Sequence, residues 1–168
     1  MEIDVLIDAP AWADAGLAAL AERACPAALV AAGLTPEDYA VSLLGCDDDR
    51  IARLNAQFRA APKPTNVLSW PSEERAPGVT PRDPELGDIA IAYETCRREA
   101  TDQGKDFSTH VIHLLIHATL HLLGHDHVED AAARDMESLE RDVMARLGLP
   151  DPYGDDILAS AGPDPAQG

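Results

Sequence analysis

The sequence predicts an α+β domain, a small four-stranded mixed sheet packed against about five helices, on three observations. Its 168 residues suffice for one compact core and fall short of two ordinary domains. Four short β-prone runs are interspersed with longer stretches of helical spacing, without the strict strand-helix-strand order of a parallel α/β fold. A net charge of −17 with 46% hydrophobic residues describes a soluble, acidic globular chain and excludes a generally basic nucleic-acid coat.

Ile3, Val5 and Ile7 alternate with Glu2, Asp4, Leu6 and Asp8, mostly the period of a half-buried first strand. The Ala-rich stretch from Trp12 to Ala32 is helical in composition, with Pro26 as an interior kink or break and Gly33 as its stop. Tyr39 to Leu44 reads as the second strand, and Asp47, Asp48 and Asp49 open a helix that runs to about Phe58. Pro62 and Pro64 break the chain before a third strand, Thr65 to Trp70, which Pro71 ends. Residues 71–86, rich in Pro, Gly and charge, suit an exposed loop. Leu86 to Ala92 forms the fourth strand, and Tyr93 to Gln103 a helix stopped by Gly104. Ser108 or Thr109 caps a mostly apolar helix that reaches Leu123, and Ala133, Met136, Leu139, Val143 and Leu147 space a last helix from Glu129. The domain thus occupies residues 1–149, and the Pro-, Gly- and Asp-rich tail 150–168 is expected to be disordered.

The acidic start Met1-Glu2-Ile3-Asp4 is unlike a secretory leader, and no apolar run has the length of a membrane span, so a cytoplasmic location is expected. Cys25, Cys46 and Cys96 lie far apart with no C-x-x-C, which suits small buried thiols better than disulfides or a thiolate zinc site. Most cations cluster in the middle third: Arg53, Arg59, Lys63, Arg75, Arg82, Arg97, Arg98 and Lys105. A polyanion can bind locally there, although solvated helix faces are the plainer reading of charge alone.

The histidines carry the chemistry. All six fall between His110 and His127. Four residues turn an α-helix by about 400°, so His117 and His121 share a face with a rise of roughly 6 Å and both can reach one ion. His113 lies on the same stripe but about 12 Å of rise from His121, too far to share it. His110 and His113 therefore suit packing or supporting roles. A third ligand needs a chain reversal, for which Gly124 is the natural residue, and His125 or His127 then swings back. The spacing His117-x-x-x-His121-x-x-Gly124-x-x-His127 has the ligand-and-glycine skeleton of the metzincin motif and favours His127, with His125 as fallback. Three neutral imidazoles leave a fourth position on zinc for water, which ionises near pH ~7 there. Ala118 stands where a metzincin protease has its Glu base, which weakens the peptidase reading. Asp126 can bond a ligand imidazole or cap a turn.

The stretch Leu54-Asn55 through Phe58-Arg59 to Pro64-Thr65-Asn66-Val67-Leu68-Ser69-Trp70, then Leu86-Gly87-Asp88-Ile89-Ala90-Ile91, then His117 to His127, resembles the YbeY family over roughly residues 38–145. That resemblance implies a zinc-dependent endoribonuclease that matures the 3′ end of 16S ribosomal RNA and takes part in ribosome quality control. It implies one zinc ion on His117, His121 and His127, and places Arg59 near the cleft, where its planar fork suits a phosphate. Single-stranded or ribosomal RNA and the small ribosomal subunit or its proteins are the implied partners. The family commonly has Asp at the position of Asn66, and Tyr or Phe at that of His125. Two other readings remain: a zinc peptidase without the usual Glu, and a non-catalytic ribosome-assembly factor in which metal only pins the turn at Gly124.

Overall fold

The computed structural model describes residues 1–59 and 63–154. Four strands, β1 (Glu2–Ile7), β2 (Ala40–Cys46), β3 (Val67–Pro71) and β4 (Glu85–Ala92), form one sheet in the order β1-β2-β4-β3. β1 and β4 both run parallel to β2, and β3 runs antiparallel to β4 with Ser69 opposite Ile89. The sheet is therefore mixed, with β3 on an edge.

Six α-helices accompany it among the described residues: α1 (Ala11–Ala15), α2 (Leu17–Ala31), α3 (Asp48–Arg59), α4 (Tyr93–Gln103), α5 (Phe107–Leu122) and α6 (Asp130–Arg146). The sixth arises because the first helical stretch breaks at Gly16, not at Pro26. Gly16 takes φ +73, a left-handed conformation that only glycine adopts without cost, and caps α1 while opening α2. Pro26 lies inside α2, whose buried face of Leu17, Leu20, Ala21, Ala24, Cys25, Ala28 and Leu29 holds the helix through the lost backbone bond.

The main core lies between the sheet and α2, α5 and α6, and includes Trp12, Leu43, Ile89, Ile91, Ile112, Leu115, Ile116 and Leu120. Trp12 anchors it with an indole N–H that donates to the carbonyls of Cys46 (3.0 Å) and Ile91 (3.2 Å). A smaller cluster, Cys46, Ile51, Leu68, Ala90 and Ala92, is separate from this core, with Leu54 of α3 packed against it. The three cysteines are buried and their thiols stay protonated: burial pushes Cys25 up to about 11 and Cys46 up to about 12, and raises Cys96 as well.

α5 is the central helix. Eleven of its sixteen residues are buried, as befits a helix covered on nearly every side. Its cap is Asp106, whose carboxylate accepts from the Thr109 N–H (3.1 Å) and hydroxyl (3.2 Å); Ser108 and Thr109, the expected caps, already lie in the first turn. The loop of residues 72–84 is less free than its composition suggests. The Arg75 side chain is buried within it and donates to the carbonyls of Leu86 (2.8 Å) and Leu122 (2.9 Å), so it staples the loop to the end of α5. The tail is also ordered at its start: Lys105 donates to the Pro152 carbonyl (3.1 Å), and Arg141 pairs with Asp151 (3.3 Å). Residues 155–168 lie outside the described residues. No described helix is long and apolar enough to cross a membrane.

Candidate active site

The apolar packing of α5 against β3 brings the last two turns of the helix beside the strand, and a cleft of about 240 Å³ opens there. Its walls come from Val67, Leu68 and Ser69 of β3, His117, Ala118 and His121 of α5, and Asp126, His127 and Val128 of the following turn. The three histidines expected to act together line one cavity.

The turn is built by Gly124. Its N–H bonds to the His121 carbonyl (3.0 Å) and the His125 N–H to the Leu120 carbonyl (3.1 Å), with Gly124 at φ +105. A Cβ there would lie 2.6 Å from the Arg75 carbonyl oxygen, so glycine is required by space as well as by conformation. Asp126 caps the bend by accepting from the Val128 N–H (3.1 Å). His125 is half-buried, and that burial lowers its pKa.

Each helical histidine is held through one ring nitrogen. His117 Nδ1 meets Glu140 Oε2 at 2.6 Å, and His121 Nδ1 meets Ser69 Oγ at 2.7 Å. Glu140 projects from α6, is wholly buried, and is also met by His113 Nε2 (2.7 Å) and by the Tyr153 hydroxyl (2.5 Å). Burial alone would raise the Glu140 pKa, but the hydrogen bonds from His113 and His117 outweigh it and hold the carboxyl far below its usual range. As an ionised carboxylate Glu140 only accepts, so His117 carries its proton on Nδ1 and His113 on Nε2. Burial lowers the pKa of His113, and its Nδ1 is buried without a hydrogen-bond partner, as suits the bare lone pair of a neutral ring. His110 lies outside the cleft and pairs with Glu99 at 2.9 Å.

His117 and His127 lie ring against ring, with centroids 5.4 Å apart and planes tilted by 34°. Among the described residues no three His, Cys, Asp or Glu side chains are gathered closely enough to hold an ion as they stand. The expected convergence is thus a shared cleft and not a closed coordination shell. The donor chemistry still fits a metal: His117 and His121 each have Nδ1 held by an oxygen, the arrangement that fixes a ligand imidazole and leaves metal binding to Nε2.

Arg59 is the last residue of α3, and its side chain lies outside the described residues. Four of the other cations of the middle third are engaged within the fold: the Arg75 side chain is buried, Arg53 pairs with Asp49, Arg98 with Asp48, and Arg97 lies over the ring of Phe107 at 3.9 Å. Asn66 donates to Glu99 Oε1 at 3.1 Å and accepts from the Val67 N–H at 2.6 Å, so it fixes the start of β3. The sequence reading gave no role to Ser69, Glu140 or Tyr153. One signal was present for Glu140, a carboxylate on the apolar stripe between Met136 and Val143, where a charge implies buried partners.

The family model described as Endoribonuclease YbeY matches residues 10–148. This chain belongs to the YbeY family. A relative from Jannaschia sp. named Endoribonuclease YbeY is 56% identical over 160 residues, covering 91% of this chain and all of the relative. A YbeY protein of the same name from Paracoccus denitrificans is 53% identical, covering 90% of this chain and 89% of its own length. The solution structure of a Thermotoga maritima protein shares the fold with a TM-score of 0.60 at 23% identity, across 98% of this chain and 99% of that one. The YbeY match contains every cleft residue and Glu140, and ends before Tyr153.

Proposed function

We propose that this chain is a zinc-dependent, single-strand endoribonuclease that acts in the cytoplasm on the 3′ end of 16S ribosomal RNA and in ribosome quality control. The small ribosomal subunit or proteins bound to it are the proposed partners. Membership of a family whose relatives are named endoribonucleases supports the reaction class. The observation that carries the site is the pair of braced imidazoles, His117 on Glu140 and His121 on Ser69, lining one cleft with His127.

His117, His121 and His127 would hold the ion. When bound, zinc supplies a Lewis acid for a phosphate oxygen and a water that ionises near neutral pH. The protein's own groups set the stage for that. Glu140 keeps the proton of His117 on Nδ1 and fixes the ring, and Ser69 does the same for His121 when its oxygen accepts from Nδ1. Ala118 offers no base on the cleft wall where a metzincin peptidase has its Glu, which weakens the peptidase reading. Arg59 is proposed to pair with the phosphate on which charge grows.

Incubation of metal-loaded protein with single-stranded RNA and with a peptide library tests this reading. RNA cleavage, lost in His121→Ala and reduced in Arg59→Ala, is expected. Peptide cleavage with intact RNA would establish the peptidase reading, and RNA processing unchanged in a folded His121→Ala protein would leave only an assembly role. Product ends with 5′-phosphate and 3′-hydroxyl identify water as nucleophile, whereas a 2′,3′-cyclic phosphate identifies the ribose.

A further inference from the structure

The chain beyond the family match folds back onto the site. The segment is tied at two points, with the Pro152 carbonyl held by Lys105 from the turn before α5 (3.1 Å) and Asp151 held by Arg141 of α6 (3.3 Å). Asp151 Oδ1 also accepts from the Tyr153 N–H at 2.8 Å, which turns the chain inward. The Tyr153 ring meets His113 edge to face, with centroids 5.4 Å apart and planes at 88°, and the Arg141 guanidinium lies 5.2 Å from the ring's outer side. The hydroxyl ends on Glu140 Oε1 at 2.5 Å, beside His113 Nε2 at 2.7 Å on the same oxygen.

A carboxylate can rotate about its terminal torsion, and a single bond to His117 would not stop it. Two donors on Oε1 do, and they leave Oε2 aimed at His117 Nδ1. We infer that Tyr153 is a positioning residue of the active site: its hydroxyl, together with His113, fixes the Glu140 carboxylate and through it the ring and tautomer of His117. The C-terminal segment is then a working part of the centre, supplied from outside the region that matches the family model. Its expected effect on an ion rests on the metal reading above; its effect on His117 does not.

Tyr153→Phe in the full chain is the test, because it keeps the ring against His113 and removes the hydroxyl. Nitrogen NMR of the metal-free protein reads the His117 tautomer, cobalt(II) titration reads the affinity and the visible spectrum of the bound ion, and RNA cleavage reads kcat and KM. The variant is expected to lower the Nδ1–H population of His117, weaken cobalt(II) binding about tenfold, and reduce kcat with KM unchanged. A role confined to tethering the tail would lower the melting temperature and leave the His117 nitrogen signals and the cobalt affinity within twofold of wild type, and that result overturns the inference. If wild type binds no cobalt(II), the metal reading fails, and the tautomer alone decides for or against Tyr153: unchanged signals overturn the inference, and a shift supports it.

Discussion

The two halves of α5 carry the same kind of side chain to opposite ends. His110 and His113, in its first half, are buried and meet carboxylates, Glu99 at 2.9 Å and Glu140 at 2.7 Å, as parts of internal networks. His117 and His121, one and two turns further on, line a cleft while their inner nitrogens are held by Glu140 and Ser69. Residue type and helical stripe do not separate these pairs. What separates them is where the covering elements stop: α6 and the tail seal the His113 end, whereas β3 and the Gly124 turn leave the other end open. Glu140 joins the halves, with one oxygen on His113 and the other on His117.

The largest break in this comparison is expected from Glu140 itself. Glu140→Leu leaves two imidazoles and a tyrosine hydroxyl without their buried acceptor, so urea denaturation should show a loss of about 3–5 kcal/mol, with any metal affinity reduced together with it. Next comes the network at the buried end. Asn66 donates to Glu99, which an ionised Asp cannot do, so Asn66→Asp sets two carboxylates against each other and is expected to cost about 2 kcal/mol. The double variant Asn66→Asp with Glu99→Gln should recover most of that loss; no recovery would show that the pair is not the cause.

At the open end, Gly124→Ala forces a Cβ against the Arg75 carbonyl at a left-handed residue, and a cost of about 1–3 kcal/mol is expected by thermal melting. Acid should weaken the buried half through two groups of the same sign. Burial lowers the pKa of His113, so the folded protein binds this proton less readily than the unfolded chain and stability declines as pH falls below about 6.5. For Glu99, burial opposes ionisation, but the hydrogen bonds from His110 and Asn66 prevail and the pKa is lowered; its contribution is present above about 4.5 and is lost below it. Denaturation midpoints that stay flat from about pH 7 to 5 would contradict the His113 assignment, and midpoints that stay flat from about pH 5 to 3 would contradict that of Glu99. The smallest effect belongs to the thiols: raised by burial, Cys25, Cys46 and Cys96 should resist alkylation in the native state and react on unfolding.

Local pattern carried much of the fold. The bounds of α4, Tyr93 to Gln103 with Gly104 as its left-handed stop, follow from spacing and a single glycine, and the alternation at Ile3 and Val5 marks β1. Local pattern failed where two punctuators competed. Pro26 has the greater intrinsic cost, yet packing carries the helix through it, and the break falls at the glycine that can turn left-handed. In the site, the histidine spacing and Gly124 were legible because they belong to one helix and its turn. Ser69 and Glu140 were not, since their contacts with His121 and His117 span 52 and 23 residues of sequence and depend on how β3 and α6 dock. Tyr153 was hidden by composition: Pro, Gly and Asp around it describe a tail, and only the anchors on Lys105 and Arg141 turn it inward.

Titration calorimetry of zinc into the metal-free chain tests the division of α5 most directly. One ion per wild-type chain is expected, retained in His110→Gln and lost in His121→Ala and in His127→Ala. Binding that survives both of the latter substitutions, or that disappears in a folded His110→Gln protein, would contradict the account.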